Sequence, residues 1–377
     1  MHSTAIDRRT FLTLAAAAGL MPAGGMTGSA LAAAPEGDLW LAARKNGSGF
    51  EVVVLDGAGR EHLTVPLDGR GHSFAIDRNG RNVVAFARQP GRFAVSFDVT
   101  GKTPPRAFAA EPDRHFFGHG TYADDDRLLI ATENDYDGER GVAGIYDVGA
   151  GMRRLGEFDT GGLDPHEAVL MPDGRTLCIA NGGVLTHPDY GKLALNLDTM
   201  APTLAYVDVQ TGDLVDSVSL APELHKLAFH HLAVDGHGAV WFGGQYHGAK
   251  ADRPPVVGRH RRGEPIEMFP GPDPVLRALG NYIGSVAVDP SGDIVATSSP
   301  VGGCVAYWDA ATGRSLGLTE LADVCGVAPG AAHSIRMTSG YGAMIETGPR
   351  DDIQALREPG GAIAWDNHLR LVSAPKA

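Results

Sequence analysis

Gly71-His72-Ser73-Phe74-Ala75-Ile76-Asp77, with the turn Arg78-Asn79-Gly80-Arg81 and the apolar run Val83-Val84-Ala85-Phe86-Ala87 behind it, is a unit that returns along the chain. Gly118-His119-Gly120-Thr121-Tyr122 is followed by an Asp-rich turn and Leu128-Leu129-Ile130-Ala131. Pro165-His166-Glu167-Ala168-Val169-Leu170 leads through Pro172-Asp173-Gly174-Arg175 to Leu177-Cys178-Ile179-Ala180. His230-His231-Leu232-Ala233-Val234 leads through Asp235-Gly236-His237-Gly238 to Val240-Trp241-Phe242. His72, His119 and His166 are spaced by 47 positions, and His231 follows His166 by 65. A near-constant period of this length marks a repeat architecture, each unit being one blade of a propeller. Two further units lack the histidine, Gly284-Ser285-Val286-Ala287-Val288 and Cys325-Gly326-Val327-Ala328. Asn367-His368-Leu369-Arg370-Leu371 brings a fifth histidine into register and the count to seven.

The expected fold is therefore an all-β, seven-bladed β-propeller. Leu39 to Arg44, Phe50 to Leu55 and His62 to Val65 read as three strands ahead of the first full unit, and a blade has four. The missing innermost strand is expected from Ile363 to Val372, so that N- and C-terminal strands pair and no strand edge is left open. Length alone would suggest two or three domains for 377 residues, but stacked repeats share one core. Residues 35–377 are accordingly expected to form a single domain.

Residues 1–34 read differently. Asp7-Arg8-Arg9-Thr10-Phe11-Leu12 precedes a short, weakly apolar run, and Ala30-Leu31-Ala32-Ala33-Ala34 offers small residues for cleavage. This is the pattern of a twin-arginine export signal, too short and too rich in Ala and Gly for an anchor helix. The expectation is a periplasmic protein with no integral membrane segment after cleavage. The net charge of −13 argues against nucleic acid or an anionic membrane surface as partner. Cys178, Cys304 and Cys325 lack metal-type spacing; buried free thiols and a Cys304–Cys325 bridge are the two readings.

Equivalent positions on innermost strands form a ring around the channel, so His72, His119, His166, His231 and His368 are expected side by side at one mouth. Packed sheets about 10 Å apart give seven blades a ring radius of about 11 Å, which leaves adjacent imidazole nitrogens about 4–5 Å apart. Modest inward lean then makes a shared metal geometrically feasible. The competing reading is that each histidine staples its neighbouring blade by a hydrogen bond. Loops reaching the same mouth carry Arg88, Arg92, Glu133, Asn134, Asp135, Asn181, Gln245 and His247, with His115 and His225 at the rim. Glu133 or Asp135 is the expected carboxylate behind the imidazoles. Alternation along the strand points Glu167 away from the channel. The insertion Val184 to Met200 accounts for the longer interval and is expected on the binding face. The chain holds no Gly-x-Ser-x-Gly elbow, phosphate loop, haem-attachment motif or His-Glu-x-x-His pair.

The motifs Arg114-His115-Phe116-Phe117-Gly118-His119-Gly120, Ala131-Thr132-Glu133-Asn134-Asp135, Pro165-His166-Glu167, Ala180-Asn181-Gly182-Gly183 and Leu195-Asn196-Leu197-Asp198-Thr199-Met200 resemble, in this order, the exported propeller family called domain of unknown function 1513. The resemblance spans nearly the whole chain after the signal. It implies a periplasmic protein with no established activity, encoded beside imelysin-type iron-uptake proteins and a di-haem oxidoreductase-like protein. The fold superfamily also resembles quinoprotein amine dehydrogenase and nitrous-oxide-reductase propellers, the latter binding copper through channel-mouth histidines. Fold alone transfers no chemistry. The expected function is transition-metal binding, iron or copper, as an accessory of iron acquisition with imelysin-type partners. The alternatives are a metal-dependent redox enzyme and a metal-free interaction scaffold.

Overall fold

The structure, a computed structural model, describes residues 37–373. The segment read as an export signal, 1–34, lies outside the described residues. Seven four-stranded antiparallel sheets follow one another in the chain. Six are built from consecutive strands. The seventh joins the two ends: β28 (Ile363–Val372) pairs with β1 (Leu39–Asn46), which continues to β2 (Gly49–Leu55) and β3 (Glu61–Leu67). The closing strand thus spans the stretch that the repeat count assigns to it.

The sequence explains why the strands are apolar on both faces. Each blade is sandwiched between two others, so the seven large buried clusters each lie between adjacent blades. Leu41, Val52 and Val54 of the first blade meet Phe74, Val83 and Val95 of the second. Leu369, Trp365 and Trp40 meet Ala328 and Met344 of the last, across the closure. Runs such as Val83-Val84-Ala85-Phe86-Ala87 therefore need no polar alternation, because neither face sees water.

The turns behave as their residues require. Asp77, Asp98, Asp208 and Asp289 each accept backbone N–H groups two to five residues on, the usual work of Asp in a tight turn. All three cysteines are free and buried, so Cys304 and Cys325 do not pair. Among the described residues no helix is long and apolar enough to cross a membrane.

Seven strands face the axis: β28, β4 (Gly71–Ile76), β8 (Arg114–Ala123), β12 (Pro165–Leu170), β16 (Leu227–Val234), β20 (Ser285–Val288) and β24 (Val324–Pro329). The Val184 to Met200 insertion leaves β13 (Thr176–Asn181) and returns at β14 (Thr203–Asp208). Asn196 ties its two ends, accepting from Leu185 N at 2.7 Å and donating to Gly183 O at 2.9 Å.

Candidate metal centre

Every inner strand that carries a histidine breaks its ladder at that histidine. On β4, His72 and Ser73 lie in the register shift between Gly71 and Phe74; on β8, Phe117 to His119 lie between Phe116 and Gly120. The shift falls between Pro165 and Glu167 on β12 and between Phe229 and His231 on β16. On β28 it spans Asp366 to His368, opposite Ala43. Strand β20, which has Ser285 instead, runs unbroken, whereas β24, also without a histidine, shifts between Val324 and Val327. A bulge adds a residue to one strand and re-aims the side chains beside it. Here the extra residues turn imidazoles into the channel.

Six imidazoles converge there. The five expected from the repeat are joined by His230, so that both members of the His230-His231 doublet enter the cluster. Ring centroids lie 4.6 Å apart for His72 and His368, 4.9 Å for His72 and His119, and 4.8 Å for His119 and His368. The His231 and His368 centroids are 4.7 Å apart, and His166 stacks on His230 at 4.3 Å. Three triads can each bring one ligand atom per residue within 4.8 Å of the others: His72, His119 and His166; His119, His231 and His368; His166, His230 and His231. Any two of these triads share one histidine. Gly118 makes room for the crowding: it takes φ 99°, and a Cβ there would stand 2.4 Å from the His72 ring.

The triad His119, His231 and His368 is the best supported from behind. Its members are 2%, 1% and 0% exposed. Glu167 Oε2 accepts from His231 Nδ1 at 3.2 Å, and Glu167 Oε1 lies 3.5 Å from His119 Nδ1. His368 Nδ1 shares a hydrogen bond with Ser285 Oγ at 3.2 Å. Arg370 donates to Glu167 from the far side. One of the two blades without an inner-strand histidine thus still serves the cluster, through Ser285. With Nδ1 engaged on each ring, Nε2 is the nitrogen left to ligate. Among the described residues His119 Nε2 and His368 Nε2 are buried without a hydrogen-bond partner, as are His72 Nδ1 and His230 Nδ1. An unpartnered buried nitrogen costs about 1–3 kcal/mol, so four of them in one cluster ask for a ligand.

Electrostatics favours the neutral, ligating form. Burial pushes His72, His166, His230 and His368 well below the usual imidazole range, and neighbouring rings push the same way. Burial also lowers His119, to about 4, although Glu167 opposes it. Burial alone would raise Glu167, yet Arg370 and the imidazoles hold it well below the usual carboxylate range. A charged carboxylate behind neutral imidazoles is the arrangement that orients histidine ligands in metal sites.

This corrects the sequence reading of Glu167. Strict alternation sends it away from the channel, but the bulge at His166 lets two successive side chains point inward. The carboxylates expected behind the rings belong elsewhere. Glu133 accepts from Tyr146 Oη at 2.5 Å and Arg154 Nη2 at 2.9 Å, within its own blade. Asp135 pairs with Arg114 at 2.9 Å and Arg140 at 2.7 Å. His115 Nδ1 donates to Phe116 O at 3.0 Å, and its Nε2 accepts from Asn134, which also reaches Thr186 O of the insertion. Asn181 donates to Thr160 O and Thr203. His225 bonds Pro222 O on a rim turn. None of these six side chains has a hydrogen bond to the imidazole cluster among the described residues.

The cluster separates two cavities. One, of ≈ 350 Å³, opens at the mouth and reaches His72, His166, His230 and His231; Gln245, Arg88 and Tyr282 line it, and the insertion closes one side with Thr186, Lys192 and Leu193. The insertion therefore does lie over the cluster. Asp164 also lines this cavity, in a left-handed backbone (φ 55°) and with a carboxyl that burial pushes well above the usual range. Nothing in the sequence marks Asp164 beyond its place before Pro165-His166. The second cavity, ≈ 300 Å³, approaches from the opposite end and reaches His119, Glu167 and Arg370.

Residues 65–372 match the family described as "Protein of unknown function (DUF1513)". The chain belongs to the DUF1513 family. No curated protein matches this DUF1513 member in sequence. Among solved structures it is similar to a chain of Kuenenia stuttgartiensis hydrazine synthase, with 12% identity, 89% of this chain and 99% of that one covered, and a TM-score of 0.60. It is also similar to the Cps50 (Swd1) β-propeller domain of Myceliophteria thermophila, with 13% identity, coverage of 84% and 96%, and a TM-score of 0.55. At these identities the likeness speaks for the fold alone.

Proposed function

We propose that this propeller binds a transition-metal ion inside its channel, on His119, His231 and His368, with His72, His166 and His230 around them. The observation that carries the reading is the pair of buried, unpartnered nitrogens, His119 Nε2 and His368 Nε2, on rings whose other nitrogens face Glu167 and Ser285. Stapling of blades, the competing explanation, would leave these nitrogens bonded to neighbouring backbone. An imidazole-rich set with a carboxylate behind it suits iron, copper or zinc, and rings already neutral bind without first losing a proton. The test is elemental analysis of protein purified from its native compartment without chelators, beside His119→Ala/His231→Ala/His368→Ala. About one equivalent of metal lost in the folded triple variant is expected; equal metal content in both would refute the site.

The mouth cavity favours a second reading, turnover at the metal, because a small molecule entering there reaches His166, His230 and His231. A coloured sample that titrates reversibly with a chemical reductant would support it; a spectroscopically silent metal-loaded protein would not. We place the protein in periplasmic iron acquisition, with imelysin-type partners, on the strength of the Arg8-Arg9 motif and the family resemblance. Cell fractionation and pull-down of such partners check both assignments.

A further inference from the structure

We propose that the mouth cavity is a binding site for a small oxyanion, such as a short carboxylate or phosphate, held between Arg88 and Lys192 above the imidazole layer. The proposal goes beyond the metal reading, since it rests on the rim and not on the triad.

The chain as a whole is strongly acidic, at −13, yet this opening collects cations. Arg88 and Lys192 both line the cavity. Arg70 stands behind them, and Asp366 receives both Arg70 at 2.8 Å and Arg88 at 3.2 Å. One carboxylate thus answers two guanidinium groups, and Arg88 spends only Nη1 on Asp366 and Asn367. Lys192 has no ion pair of its own among the described residues. Partial desolvation, and then the nearness of Arg88 and Arg70, lower its pKa, with Asp366 opposing them. The remaining carboxyl of the cavity is Asp164.

The imidazole nitrogens inside can also serve an anion, each donating in the tautomer that carries its proton. His72 Nδ1, His230 Nδ1 and His247 Nε2 are buried, lack partners and belong to side chains that line this cavity. Gln245 and Tyr282 add an amide and a phenol. A cavity of ≈ 350 Å³ admits a small molecule and excludes a polymer. Lys192 comes from the insertion that only this blade carries, so the site is an addition to the repeat and not a by-product of it. Charge-assisted hydrogen bonds from an arginine fork and an ammonium are the usual means of holding an oxyanion.

The experiment is calorimetric titration of the full mature protein with oxalate, inorganic phosphate and sulfate at low salt, in metal-free and metal-loaded form. The expected result is one-to-one binding of at least one anion with a Kd below about 1 mM, weakened at least about threefold by Lys192→Gln and retained in Lys192→Arg. Lys192 sits on an exposed loop, so these variants keep the fold; Arg88→Gln is the second arm. Absence of any binding below about 1 mM, or a loss under about threefold in Lys192→Gln, overturns the proposal. Binding that persists in protein unable to hold metal leaves this proposal standing while the metal reading falls. Metal content without anion binding does the reverse.

Discussion

Glu167 Oε2 stands 3.2 Å from His231 Nδ1, and the same carboxylate faces His119 and takes a hydrogen bond from Arg370. One buried anion therefore sets the orientation of two imidazoles from different blades. Glu167→Gln keeps the shape but removes the charge. Metal affinity is expected to fall about 10–100-fold, measured by competition with a chromophoric chelator. Stability should also drop, because Arg370 loses a buried partner, by about 3–5 kcal/mol in urea unfolding. Unchanged affinity would mean that the carboxylate only braces the blades.

Acid should destabilise the metal-free protein in a defined window. An unfolded imidazole titrates near 6.5, whereas burial lowers folded His115 and His119 to about 4. Between those values the unfolded chain binds protons that the folded chain refuses. Stability is therefore lost as pH falls from about 6.5 to about 4, and this contribution levels off below. Glu167, depressed in the fold, adds a further loss only below the ordinary carboxylate range. Urea midpoints at pH 7, 5.5 and 4 check the order, with stability falling at each step. A flat profile would show the imidazoles to be more hydrated than their burial implies.

The closure can be tested apart from the imidazoles. Leu369 is fully buried against Trp40, Trp365 and Met344 at the seam of β28 and β1. Leu369→Ala is expected to cost about 2–5 kcal/mol of unfolding free energy, with metal per folded molecule unchanged. A loss well under 1 kcal/mol would argue that the terminal strands do not hold the ring together.

Glu133 serves as the counter-case to Glu167. Its partners are Tyr146 and Arg154. Glu133→Gln should lower stability by about 1–3 kcal/mol and leave the metal affinity as it was. A fall in affinity matching that of Glu167→Gln would place Glu133 in the centre after all.

How much of this was legible beforehand depends on what each inference needs. The blade count, the closing strand and the meeting of His72, His119, His166, His231 and His368 follow from spacing, since equivalent positions in a closed ring must face one axis. Glu167 and His230 were out of reach for a definite reason. A period of two predicts side-chain direction only along a regular strand, and the bulges at Pro165–Glu167 and Phe229–His231 break that period. A His-His or His-Glu doublet at the start of an inner strand is the one local signal of such a bulge. Glu133 and Asp135 misled because a carboxylate near the mouth looks the same whether it faces a ring or an arginine. Their actual partners, Arg154, Arg114 and Arg140, sit on strands whose faces local pattern does not specify. In the sequence Lys192 is only part of an insertion; its neighbours Arg88 and Arg70 lie about a hundred positions away in the chain.

X-ray absorption at the metal edge of natively loaded protein addresses the central claim most directly. Three nitrogen neighbours at about 2.0–2.1 Å, with imidazole scattering that vanishes in the His119→Ala/His231→Ala/His368→Ala variant, is the predicted outcome. A metal held by oxygen alone, or an edge unaltered in that variant, would contradict it.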